Sequence, residues 1–423
     1  MEEINSILSG IIVPLLLIVS GIWFGSRLRF FYILHPIKLC KCLLEESGEG
    51  GVSPFRALTM ALAGTLGVGN MAGVATAIVA GGAGALFWMW ISAICAMSIK
   101  YIEVKAALET REMRNGEWRG GAMYYIKRII KGRIGGVLAS SFAILCGVNA
   151  LLTGNIVQVN AACGAVSEVN PLYIGVIVGI LGGLVVVGGG KRFSGATIAI
   201  IPLLTAVYMI ICLAIIFNNY YRLPQVFGEI IKGAFSLKSV GVGVGGFVML
   251  RAMRFGVTRG IFSNEAGCGT SPTAHAQANA ISPHHQGCFG IFEVFADTIV
   301  LCTMTGLVIL LCGDCALDGI PLTLYAFEAL AGAWASKIIA VSIVLFAFAT
   351  VISQSAYGLV AVDFISGNKN LRAVYLLMIF VSSVVGAVIS SQAMWQIADF
   401  IVSLMTTVNV LCLGWFMLQR KEK

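Results

Sequence analysis

The chain has 423 residues, of which 58% are hydrophobic and only 11% charged, and its mean hydropathy is +0.92. A soluble chain of this length carries roughly a quarter charged residues and folds as about three domains. So few charges cannot cover a water-facing surface, so most of the protein must face lipid or other apolar helices. Nucleic-acid binders, secreted disulfide scaffolds and cytosolic enzymes are excluded on that ground.

A spanning helix needs about 20 mostly apolar residues, and eleven segments qualify: 7–23, 57–80, 84–109, 137–165, 172–190, 194–216, 240–262, 287–312, 335–362, 371–391 and 395–418. The predicted fold class is therefore all-α, a polytopic membrane protein with eleven transmembrane helices. Met1-Glu2-Glu3 is acidic and no small-residue cleavage site follows the first apolar run, so the first helix is expected to be retained. The segment 321–334, with Pro321 and Glu328, is too short and polar to span and reads as an interfacial helix.

Lys and Arg accumulate in short cytoplasmic loops. The loops after the first and third spans hold twelve, from Arg27 to Arg56 and from Arg111 to Arg133, and the same side gains Lys191, Arg192, Lys369, Arg372, Arg420, Lys421 and Lys423. The opposite side has only Arg222, Lys232, Lys238 and Lys337. The N-terminus is therefore expected outside and the C-terminus in the cytoplasm, and the net charge of +8 is an orientation signal. The twelve cysteines form no disulfide framework. Cys95, Cys146, Cys163, Cys212, Cys302 and Cys412 lie singly in apolar stretches, where a thiol behaves as a small hydrophobe. Cys40 and Cys42 form a lone C-x-C with no partner pair nearby, so no transition-metal site is expected.

Glycine position is more informative than glycine number. Gly64, Gly67, Gly69 and Gly73 surround Asn70 in the second span, and Gly241, Gly243, Gly245 and Gly246 begin the seventh. Two halves of five helices each, spans 2–6 (57–216) and 7–11 (240–423), must be inverted relative to one another. Glycine-interrupted segments at corresponding positions of inverted halves point to broken helices around a transporter's midplane site; close helix packing through small residues is the competing explanation. The first helix (1–25), a cytoplasmic linker (26–56) and an external loop (217–239) complete the division.

Charges in a bilayer each need a reason. Glu103, Arg251, Arg254, Glu265, Glu293 and Asp297 lie in or beside spans. Glu103 reads as a structural or gating group, and Arg254 and Glu265, flanking one segment, could form an ion pair. Glu293 and Asp297, at i and i+4, would share a helix face and repel if both ionised, so one is expected to be protonated, paired with a base or exposed to the cytoplasmic vestibule. Uncharged polar groups are better ligands for a substrate: Thr65 and Asn70, then Asn155, Gln158 and Asn160, then Thr350, Ser353 and Ser355. An unwound helix frees N–H groups that hold a carboxylate and carbonyls that hold a small cation or an ammonium group, which together suit a zwitterionic amino acid.

Several runs resemble the signatures of the alanine or glycine:cation symporters: Gly69-Asn70-Met71-Ala72-Gly73-Val74-Ala75-Thr76, Arg259-Gly260-Ile261-Phe262-Ser263-Asn264-Glu265-Ala266-Gly267, Glu293-Val294-Phe295-Ala296-Asp297-Thr298, and Gly154-Asn155-Ile156-Val157-Gln158-Val159-Asn160. The resemblance covers about Pro54 to the C-terminus. It implies a member of the amino acid–polyamine–organocation superfamily with a LeuT-like five-plus-five inverted repeat, discontinuous helices and one added N-terminal helix, in a prokaryotic plasma membrane. It also implies import of alanine or glycine coupled to sodium, or to protons. By position, Thr65, Gly67, Gly69, Asn70, Gln158, Gly245, Gly246 and Phe247 would hold the substrate. Thr350, Ser353 and Gly67 would serve the coupling ion, and Glu103, Arg254, Glu265, Glu293 and Asp297 would gate or brace. The family carries two adjacent hydroxyls in the ninth span, and here Ala349 replaces one beside Thr350. A non-transporting amino-acid sensor on the same fold is the alternative. A membrane enzyme is disfavoured, since the one histidine pair, His284-His285, reads as a solvated loop pair.

Overall fold

The computed structural model describes residues 5, 7–45, 52–114, 116–187, 189–236, 248–313 and 316–419. Within a bilayer every backbone polar group must be bonded inside the segment, and nearly every described apolar run is indeed helical. Among the described residues, eight helices, from Leu8–Arg27 to Met394–Gln419, are long and apolar enough to cross a membrane, and a ninth span arises if Pro54–Thr65 and Val68–Gly81, bent by 63°, are counted as one. The expected eleven differ from this at two places. The segment 172–190 appears as Pro171–Val187, 17 residues long, and 240–262 appears as Val248–Asn264, whose three arginines lower its hydropathy. The expected interfacial segment 321–334 is the helix Gly319–Ala331.

One departure from an all-helical fold is a two-stranded antiparallel hairpin in the basic loop after Gly84–Thr110. Glu112–Arg114 pairs with Glu117–Arg119, with Met113 opposite Trp118, and the Arg111 guanidinium lies 4.1 Å from the Trp118 ring centroid.

The helix Gly84–Thr110 sits deepest, with buried residues along its whole length. It packs against Val248–Asn264, Pro283–Val294 and Val13–Arg27. Small residues permit that approach: a Cβ on Gly256 would lie 2.3 Å from the Ala85 carbonyl oxygen, so the two backbones meet directly. Among the described residues, three helices contain a π-helical turn, at Leu8–Ile12, Leu152–Ile156 and Phe295–Cys302. Such turns concentrate at functional sites, and the latter two here flank the interior described next.

Candidate functional site

The first break follows from its residues. Pro54–Thr65 ends where Leu66 turns extended, Gly67 adopts φ −151° and ψ −144°, and a short 3-10 turn over Val68–Asn70 leads into Ala72–Gly81. Asn70 holds this shape: its Oδ1 accepts the Gly67 N–H at 3.1 Å. Its Nδ2 donates to Asp297 Oδ1 at 2.7 Å and to Ser263 Oγ at 3.0 Å. Asn70 thus braces the break against two other helices.

Two further side chains reach Gly67. Gln158, just after the π-helical turn Leu152–Ile156, accepts the Val68 N–H on Oε1 at 3.3 Å and donates from Nε2 to Thr153 O at 3.2 Å. Thr350 donates to the Leu66 carbonyl at 3.5 Å. A Cβ on Gly67 would meet Thr350 Oγ1 at 2.7 Å and Gln158 Oε1 at 2.9 Å, so any larger residue would push these two side chains aside. Ser353, one turn beyond Thr350, is fully buried and its hydroxyl has no hydrogen-bond partner among the described residues. A buried hydroxyl left unpaired costs about 1–3 kcal/mol, and its oxygen remains available to a cation.

The glycines Gly245 and Gly246 and Phe247 lie outside the described residues. The described part of the second half unwinds farther along, between Asn264 and Pro272. Glu265 takes φ +50°, and Gly267 and Gly269 take φ +86° and +78°. A left-handed non-glycine residue costs roughly 1–2 kcal/mol and persists only where its surroundings impose it. They do so here: Glu265 accepts Gln354 Nε2 at 2.6 Å and Thr270 Oγ1 at 2.5 Å. Glu103 accepts the Gly267 and Gly269 N–H groups at 3.1 and 3.0 Å, and Asn409 Nδ2 at 2.6 Å.

The expected ion pair between Arg254 and Glu265 is not what the structure builds. Eleven residues of mostly helical chain separate them by about 16 Å, and Arg254 lies against Gly10 of the first helix. Glu293 and Asp297 also part company. The π-helical turn beginning at Phe295 intervenes, so Asp297 faces Asn70, Ser263 and Thr298, while Glu293 meets Lys100 at 3.4 Å and His275 at 2.9 Å. Thr65 back-bonds to Ala61 and Leu62, and Gly69 approaches Ser263, whose Cα would lie 2.9 Å from an added Cβ. His284 and His285 are helical, within Pro283–Val294, rather than in a loop.

Sequence reasoning passed over Lys100, Arg259, Gln354, Asp399 and Asn409. Lys100, buried beside Glu293, had a signal: a lysine three residues before Glu103 in an apolar run. Arg259 sits inside a quoted motif and pairs through both terminal nitrogens with Asp399, at 2.9 and 3.2 Å, beneath the Trp395 ring. That pair borders a cavity of about 550 Å³ which also touches Val68, Ala72 and Asn160. A second cavity of about 10 Å³, the scale of one water molecule, lies against Gly67, Asn70 and Tyr208.

A family model described as the sodium:alanine symporter family matches residues 1–421. A sodium/alanine symporter, AgcS, from Methanococcus maripaludis is 36% identical over 97% of this chain and 92% of its own length. The amino-acid carrier protein AlsT of Bacillus subtilis is 34% identical over 94% and 85%, and a probable sodium/glutamine symporter, GlnT, of the same organism is 33% identical over 97% and 86%. Among solved structures, an Eremococcus coleocola manganese transporter aligns with a TM-score of 0.53 at 15% identity, covering 86% of this chain and 76% of that one, a likeness of fold alone.

Proposed function

Because this chain belongs to the sodium:alanine symporter family, a transporter family rather than one of enzymes, we propose that it imports a small neutral amino acid, alanine or glycine, together with sodium. The observation that carries this reading is the convergence on Gly67 of a helix break, the Gln158 amide and the Thr350 hydroxyl. A ligand that takes the place of the Asn70 and Gln158 side chains gains the Gly67 and Val68 N–H groups and a positive helix end for a carboxylate, and the break's carbonyls for a cation. The Leu66 carbonyl, Thr350 Oγ1 and the unpartnered Ser353 Oγ supply oxygens for sodium, with Ser353 compensating for Ala349. Gln158 releases Val68 N–H to the substrate carboxylate. Small residues at Gly67, Gly69 and Ala72 favour a short side chain.

Transport follows from alternating access across a five-plus-five inverted core preceded by one added helix, eleven helices in all, with the N-terminus outside. The 550 Å³ cavity bounded by Arg259 and Asp399 serves as the external approach. Glu103, Glu265 and Asn70 brace the two breaks. The test is uptake of labelled alanine, glycine and glutamine into proteoliposomes under imposed sodium or proton gradients. Sodium-driven accumulation of alanine or glycine is expected. Uptake indifferent to both gradients overturns coupling, saturable binding without counterflow identifies a sensor instead, and preference for glutamine overturns the small-substrate assignment.

A further inference from the structure

The C-x-C in the linker lacks a partner in sequence, but folding supplies one. The linker helix Pro36–Leu44 docks on the beginning of Pro283–Val294. There Cys42, His284 and Cys288 each place one donor atom within 4.8 Å of the other two. His284 and Cys288 are spaced i and i+4, one helical turn apart on a single face, and His284 Nε2 stands 4.0 Å from Cys288 Sγ. In a tetrahedral zinc site with Zn–S near 2.3 Å and Zn–N near 2.0 Å, the S···N separation is about 3.5 Å. A movement of about half an ångström closes that edge.

The imidazole is already aimed. Its Nδ1 is hydrogen-bonded to the Tyr101 hydroxyl at 2.6 Å, and the Tyr101 and Phe31 rings each lie 5.7 Å from it. Histidine ligands ordinarily use the second ring nitrogen in this way, which fixes the orientation of the first. Cys42 and Cys288 are buried while His284 is exposed, so an ion has an entry on the histidine side and a desolvated thiol pair behind it.

We propose that Cys42, His284 and Cys288 form a site for a thiophilic divalent cation, zinc, with a fourth position left to water. Two thiolates and an imidazole are the donor set zinc favours over the hard cations the transporter carries. Bound zinc fastens the linker to the helix that bears Glu293 and Asp297, and binding releases the thiol protons.

The test uses the reduced, tag-free full-length protein and cobalt(II) as a spectroscopic probe, with zinc as competitor. Expected are one equivalent of cobalt per chain, thiolate charge-transfer and tetrahedral ligand-field absorption, and displacement by zinc. Cys42→Ser and Cys288→Ser should each abolish the thiolate bands, and His284→Ala should weaken cobalt binding at least about tenfold, or about 1.4 kcal/mol. A second measurement needs no variant. Zinc at about ten times its Kd should slow maleimide labelling of Cys42 and Cys288 about tenfold, because only the unliganded fraction reacts. Bands that survive both serine variants, binding well below one equivalent, or labelling unaffected by zinc overturns the site.

Discussion

The two unwound stretches differ in how they are held. Around Gly67 the groups that bond the unwound backbone directly are neutral, the Asn70 and Gln158 amides and the Thr350 hydroxyl, and a carboxylate, Asp297, acts only through Asn70. Around Gly267 they come from buried carboxylates, with Glu103 taking two backbone N–H groups and an amide, and Glu265 held by Gln354 and Thr270. Glu103 alone satisfies three buried donors, so displacing it would orphan all three together. A ligand can therefore exchange its own bonds for those at the first stretch, whereas the second behaves as an anchor around which the first can rearrange.

The largest effect should come from cutting that anchor. Glu103→Ala removes the acceptor of Gly267 N–H, Gly269 N–H and Asn409 Nδ2, three buried donors. Each orphaned donor costs about 1–3 kcal/mol, so a loss of at least about 3 kcal/mol is expected, read as a lowered unfolding temperature in detergent. Glu103→Gln, which keeps an acceptor oxygen, should recover part of it. A Glu103→Ala protein as stable as the parent would remove the contrast between the stretches.

Gly67→Ala should act on the first stretch instead. The added methyl meets the Thr350 hydroxyl and the Gln158 carbonyl oxygen below van der Waals contact. Overpacking of this kind costs typically 1–3 kcal/mol. The disturbance falls on two groups assigned to the ligands, so alanine uptake should drop by about tenfold or more while the protein still inserts and purifies as a monodisperse species. Normal uptake would show that Gly67 is there for helix packing.

These differences explain what could be read beforehand. The Asn70 break was legible because glycine and a lone amide interrupt an apolar run, a local signal. The anchor was not, because Glu103 and Asn409 are 306 positions apart in the chain and meet only after the helices pack. Arg259 and Asp399 escaped notice for the same reason. The separation of Glu293 from Asp297 depends on a π-helical turn that hydrophobic periodicity does not encode. The glycine break expected at 241–246 from the pairing of the two glycine clusters lies outside the described residues; the unwound stretch at Glu265, Gly267 and Gly269, which take positive φ, carried no such paired signal, because its acceptors come from distant helices.

The finest distinction within the first stretch is between its cation side and its substrate side. Thr350 reaches the Leu66 carbonyl only at 3.5 Å, the long edge of a hydrogen bond, so its hydroxyl contributes little to holding the break closed. Thr350→Ala should consequently leave thermal stability within about 1 kcal/mol. It should raise the sodium concentration for half-maximal uptake several-fold, since one of few oxygens is lost, and Thr350→Ser should restore it. Gln158→Ala frees the Val68 N–H and removes no cation oxygen, so it should raise the half-saturating alanine concentration with less change in sodium dependence. Identical shifts in both ligands for both variants would mean that the two sides are not separable and that Gly67 is surrounded by a single shared site.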